Sequence, residues 1–138
     1  MTERIKDLKG YVGQALNQVC FGDEETYPLA ATMARYFHPD YRQSTDGTEL
    51  DYAGVVDHMR LLRQRVPSGR IDVLDALQDG DRVADRHLVT AVKPDGGEIE
   101  TEVYLFGRLA ADGRLVRVVE TSRMLRGSAA DADLASAR

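Results

Sequence analysis

A single cysteine, Cys20, stands in 138 residues. That excludes an internal disulfide and a cysteine-rich metal site, and makes a reducing cytoplasm the expected compartment. Long apolar runs are missing too: none approaches the ~20 residues that a membrane-spanning helix needs. The opening Met-Thr-Glu-Arg-Ile-Lys has no apolar stretch, so no signal peptide is expected. Basic runs are absent and the formal net charge is −5, which makes nucleic acid and anionic membrane poor partners. No phosphate-loop, dinucleotide-binding or zinc motif occurs. No cofactor and no metal are expected.

What is there is an ordinary soluble composition, 43% hydrophobic and 30% charged. The length suits one domain with a real core. We expect that domain over residues 1–125. Residues 126–138 are rich in Ala, Asp and Ser and hold one large apolar residue, Leu134. Such a segment buries little and reads as a mobile tail.

Three helical patterns lie in the first half. Ile5, Leu8, Val12, Ala15, Leu16 and Val19 recur at three- and four-residue spacings, predicting a helix over 2–19 with Thr2 as its N-cap. A second helix is predicted over 25–37, with Leu29, Met33, Tyr36 and Phe37 as its buried stripe. Pro28 fits its first turn, and Pro39 ends it. Residues 41–45 read as a short strand closed by a turn at Asp46-Gly47. The third helix is predicted over 52–65, with Asp51 as N-cap and Val55, Met59, Leu62 and Val66 as its apolar stripe.

Four strand-like runs follow, over 70–78, 82–93, 98–110 and 114–125. Asp-Gly punctuation between them marks hairpins, so they form an antiparallel meander. Alternation assigns the inner faces: Ile71, Val73 and Leu77; Val83, Val89 and Ala91; Ile99, Val103, Leu105 and Leu109; Val116, Val118 and Met124. Glu100, Glu102 and Arg108 take the outer face with Tyr104 and Phe106.

A one-residue slip would turn every side chain over, so these faces constrain the registers. A three-residue loop over 79–81 pairs Val73 with His87 and Asp75 with Asp85. An odd-length loop over 95–97 pairs His87 with Leu105 and Asp85 with Gly107. A two-residue turn at Asp112-Gly113 pairs Leu105 with Glu120 and Gly107 with Val118. His87, Leu105 and Glu120 then share one cross-strand row, with the outer two ~10 Å apart at the backbone.

Four stretches carry a resemblance: Tyr36-Phe37-His38-Pro39-Asp40-Tyr41; Asp46-Gly47 with Gly54; Asp75 with Asp79-Gly80-Asp81-Arg82-Val83-Ala84; and Asp112-Gly113-Arg114-Leu115-Val116 leading to Glu120. In order and spacing the chain resembles the nuclear-transport-factor-2-like superfamily, and within it the bacterial SnoaL-like group. The resemblance implies an α+β fold: a cone-shaped, strongly curved antiparallel sheet covered by three N-terminal helices around an apolar pocket, commonly as a homodimer. It also implies a range of activities, from polyketide cyclases and ketosteroid isomerases to dehydratases, epoxide hydrolases and non-enzymes. Asp85-Arg86-His87 departs from the epoxide hydrolase pattern of paired carboxylates with an intervening arginine.

The candidate catalytic residues are Glu120 and His87, with Asp85 as a weaker third. A carboxyl on an apolar face has a raised pKa and can move a proton; a histidine beside it can shuttle a proton or orient a carbonyl. Tyr36 or Tyr41 could hold a developing oxyanion. Tyr36, Tyr41, Met59, Val89, Val103, Leu105, Val118 and Ser122 are expected to line the pocket, and Tyr104 and Phe106 to meet a second copy of the chain. Three functional classes stay open at this point. One is a cofactor-free isomerase, cyclase or lyase acting on a small apolar, carbonyl-bearing molecule. The others are a non-catalytic binder of such a molecule and a dimeric interaction module.

Overall fold

Residues 3–127 are described by the computed structural model, and local signals set the ends of its helices. Helix α1 (Leu8–Phe21) starts where the Asp7 carboxylate accepts the Gly10 N–H at 3.1 Å. Thr2, the expected cap, lies outside the described residues. Helix α2 (Leu29–Tyr36) is shorter than its pattern at both ends. Asp23 accepts the Thr26 N–H at 2.9 Å and ties residues 23–26 into a turn. At the other end, His38 before Pro39 is already extended, in β1 (Phe37–Thr45). The Asp46-Gly47 turn, with φ of 49° and 85°, leads into β2 (Thr48–Asp51). Helix α3 (Tyr52–Arg65) has the expected bounds, with Asp51 accepting the Gly54 N–H at 2.8 Å.

Strands β3 (Ser68–Asp79), β4 (Arg82–Val92), β5 (Glu98–Leu109) and β6 (Leu115–Arg126) make the antiparallel meander. The sheet is larger than that meander. β1 joins β6 in parallel, and the full order is β2-β1-β6-β5-β4-β3. The result is an α+β fold with a curved, open, mixed sheet.

The helices are fastened to this sheet by specific bonds. Asn17 of α1 donates to the Ile71 carbonyl and accepts its N–H, both at 2.8 Å, which satisfies the free edge of β3. Arg63 of α3 donates to the Val19, Gln18 and Tyr27 carbonyls at 3.0, 2.8 and 2.9 Å, capping the end of α1. Between the layers lie Val19, Met33, Val55, Leu105 and Val118, all buried. Each such side chain contributes roughly 1.5–3 kcal/mol.

Two turns and two strand irregularities decide the registers. The β3–β4 turn is tighter than expected: Asp79 pairs with Arg82, and Gly80 takes φ 60°. A bulge at Leu74 then restores the pairing of Val73 with His87. Below the bulge the faces are exchanged. Asp75 pairs with Arg86 rather than Asp85, so no Asp75–Asp85 carboxylate pair forms, and Leu77 lies on the outer face, 75% exposed. At the β4–β5 hairpin, Gly96 N–H donates to the Lys93 carbonyl at 2.9 Å and has φ 88°. Pro94 is preset for the first corner of that turn and Gly96 for its left-handed end, which centres the loop one residue earlier than expected. His87 therefore faces Val103, and Asp85 faces Leu105. The expected row of His87, Leu105 and Glu120 is replaced by Asp85, Leu105 and Glu120. On β6 an irregularity beside Leu115 places Leu115 in the core and leaves Val116 half-buried.

The outer face is partly apolar. Leu77, Ala84, Phe106 and Val119 form a cross-strand row, with Phe106 70% and Val119 46% exposed. Glu102 sits on this face as expected but is buried, covered by Arg86 at 3.3 Å and Arg123 at 3.0 Å. The tail beyond Gly127 lies outside the described residues.

Candidate active site

The concave face of the sheet and the helices over it enclose a cavity of about 110 Å³. Its wall is mostly aliphatic and aromatic, from Leu16, Val19, Phe37, Met59, Ile71 and Leu105 among others. Polar groups reach it as His87, Glu120, Tyr41, Gln43, His58, Thr101 and Cys20. Among the described residues no lysine or arginine lines it.

His87 and Asp85 come from alternate inward positions of β4. His87 Nδ1 lies 2.7 Å from Asp85 Oδ1, and both side chains are almost wholly buried. A carboxylate can only accept, so beside an ionised Asp85 the neutral ring carries its proton on Nδ1 and its lone pair on Nε2. The other oxygen, Asp85 Oδ2, is buried without a hydrogen-bond partner. His87 lines the cavity, whereas Asp85 stands behind it.

Glu120 approaches from β6 and ends a directed chain along the inner face of β1. The Tyr41 hydroxyl donates to Gln43 Oε1 at 2.9 Å, Gln43 Nε2 donates to Thr45 Oγ1 at 3.1 Å, and Thr45 Oγ1 donates to Glu120 Oε1 at 2.8 Å. Tyr41, Gln43 and Thr45 are all buried. Glu120 is half-buried, and its pKa is raised above the usual carboxylate value. Burial is the largest cause. Asp85 and Asp46 add to it, while the Thr45 bond and His87 oppose it. Burial also pushes the Cys20 thiol up to about 12, which leaves it inert as a nucleophile.

Tyr41, Met59, Val89, Val103, Leu105 and Val118 stand in the cavity wall with His87 and Glu120. Tyr36 does not. Its ring packs edge-on against Tyr11 at 5.9 Å, and its hydroxyl donates to Gln18 at 3.0 Å. Ser122 is also elsewhere: its N–H donates to Asp46 Oδ1 at 2.8 Å and its hydroxyl to Asp46 Oδ2, pinning the β1–β2 turn to β6. Both tyrosine hydroxyls thus give their hydrogen to a glutamine of the protein. Gln43 and Thr45 are the residues that sequence reasoning passed over, and His58 is the one it sets aside at the edge of the helix stripe of Val55 and Leu62. Extending the alternation from Tyr41 along β1 would have found the first two. His58 is read as a helix-boundary residue from its stripe, yet it is buried and lines the cavity.

The SnoaL-like domain pattern matches residues 27–118, two thirds of the chain. The chain belongs to the SnoaL-like family. A relative from Schizosaccharomyces pombe, uncharacterised protein C11D3.04c, is 30% identical over 105 residues, covering 76% of this chain and 80% of its own. The likeness is therefore not confined to bacteria. Among solved structures, IdmH of Streptomyces antibioticus, a candidate polyketide cyclase, is 21% identical with a TM-score of 0.66, over 86% of this chain and 92% of its own. An NTF2-like protein from Exiguobacterium sp. 255-15 is 16% identical with a TM-score of 0.63, over 79% and 98%. At these identities the structural likeness establishes the NTF2-like fold of this SnoaL-like chain and no activity.

Proposed function

We propose that this SnoaL-like protein is a cofactor-free proton-transfer catalyst, of the isomerase or cyclase kind, acting on a small neutral carbonyl compound. The observation that carries the reading is that Glu120 and His87 open into one apolar cavity that, among the described residues, no lysine or arginine lines. A carboxyl and an imidazole facing one site can exchange a proton with a carbon acid between them. An apolar wall selects a neutral molecule, and about 110 Å³ suits one of single-ring size. The test is α-deuterium exchange in D2O with a panel of cyclohexanone, cyclohex-3-enone and phenylacetone, followed by proton NMR. We expect exchange well above the buffer rate with at least one of the three. A panel without exchange would leave the cavity as a binding site only.

The outer face supports a second proposal, a homodimer. Leu77, Tyr104, Phe106 and Val119 form an exposed apolar surface between the charged groups of Asp75, Arg86 and Arg123. A patch with both charge signs around an apolar centre is self-complementary under a two-fold axis. Among the described residues no helix is long and apolar enough to cross a membrane. We propose a cytoplasmic protein, a reading that its one free buried thiol supports.

A further inference from the structure

We propose a division of labour at this site, resting on the proton-transfer reading: His87 Nε2 is the base, while Glu120 and Gln43 together cradle the carbonyl oxygen of a neutral ketone or aldehyde. From sequence alone the roles run the other way, with Glu120 moving the proton and His87 and a tyrosine holding the oxygen.

The directions of the hydrogen bonds carry the inference. Every donor along β1 points towards Glu120. Tyr41 gives its only hydrogen to Gln43, so it has none for a ligand. Gln43 uses one amide hydrogen on Thr45 and keeps the second, and its side chain lines the cavity. Thr45 occupies Glu120 Oε1, so a proton on this carboxyl belongs on Oε2. Gln43 pairs with Val118 and Thr45 with Glu120 across β1 and β6, which sets the two cradle residues on neighbouring strands at diagonal positions. Opposite them, Asp85 Oδ1 lies against His87 Nδ1, the arrangement that in the neutral ring leaves Nε2 as the basic nitrogen.

The neighbours of Glu120 favour its acid form. Asp85, in the same cross-strand row, and Asp46, in the β1–β2 turn, add to the effect of burial, while the Thr45 bond and His87 oppose it. A neutral carboxylic acid in an apolar site is a strong hydrogen-bond donor. No lysine or arginine among the described lining residues offers a counter-ion to a carboxylate or phosphate. The ligand class is accordingly a neutral carbonyl compound with a C–H beside it.

In the step itself, His87 Nε2 takes the proton from the carbon next to the carbonyl. The C–H electron pair becomes the carbon–carbon double bond, the carbonyl π pair moves onto oxygen, and Glu120 protonates that oxygen. When carbon is reprotonated, the enol oxygen hands its proton back to Glu120 and the carbonyl re-forms; a deuteron acquired by His87 from D2O and delivered to the same carbon gives exchange, and delivery to the far carbon of a dienol gives isomerisation.

A bell-shaped pH profile fits either assignment of acid and base, so substitution decides. A Gln at 120 keeps a donor and cannot be a base. With the same ketone panel, we expect E120Q to keep exchange within about tenfold of the parent, because a weaker donor replaces a stronger one. H87Q should lose roughly 100-fold or more, and Gln43→Leu about tenfold. Exchange abolished in E120Q and retained in H87Q would overturn the assignment while leaving the proton-transfer reading standing. No exchange by the unsubstituted protein would overturn both. Independent of variant folding, nitrogen NMR of the histidine-labelled parent should find neutral His87 protonated at Nδ1. A proton on Nε2 in the neutral ring would overturn the proposal.

Discussion

His87 and Asp85 stand two residues apart on the inward face of β4, with Nδ1 of one 2.7 Å from Oδ1 of the other. Asp85 acts through this bond, since it does not itself reach the cavity wall. Asp85→Asn offers an amide that can donate to Nδ1, which moves the ring proton to Nε2 and removes the base. Exchange by Asp85→Asn should fall by roughly 100-fold, with ketone affinity little changed. An unchanged rate would mean that Asp85 only fills space behind the histidine.

Glu120 gives a pH signature in stability. Its pKa in the folded chain is raised by burial, so folding favours the protonated form. Stability contributed this way is complete below the unfolded-state value of ~4.3 and is lost as pH rises through the folded value, at about 1.4 kcal/mol for each pKa unit. E120Q stays neutral throughout. The melting temperature of E120Q minus that of the parent should therefore climb from pH 4 upwards and level off above the raised pKa. A difference that does not vary with pH would contradict the burial of this carboxyl.

The outer face predicts assembly. Light scattering at micromolar concentration should give twice the 15.3 kDa chain mass. Leu77→Glu with Phe106→Glu should return the single-chain mass without loss of fold, since both side chains are 70% exposed or more. A monomeric parent, or a dimer that tolerates both charges, would send the interface elsewhere.

How far the sequence reaches is clear from the strands. Alternation identifies the inner residues of β4 and β5 correctly, because period two survives wherever no bulge interrupts it. It fails at Leu77, where the Leu74 bulge exchanges the faces of β3. The Leu105–Glu120 pair is anticipated although the turn is not: the hairpin at Gly113 is one residue longer than expected, and the irregularity beside Leu115 cancels it. No compensation occurs at Pro94, so His87 faces Val103, two residues along β5 from its expected partner Leu105. Bulges arise from tertiary packing and leave no residue signature comparable to Asp-Gly. The parallel pairing of β1 with β6 joins strands far apart in sequence, which no local pattern encodes. Alternation along β1 puts Gln43 and Thr45 on the face of Tyr41, but only the pairing with β6 brings them to Glu120.

Chemical-shift mapping with cyclohex-3-enone tests the central claim most directly, namely that the inner cavity is where this protein meets its ligand. Saturable shifts should appear at Gln43, His87, Val103, Leu105 and Glu120, and not at Tyr104 or Phe106. No saturable shift, or shifts confined to the outer face, would contradict it.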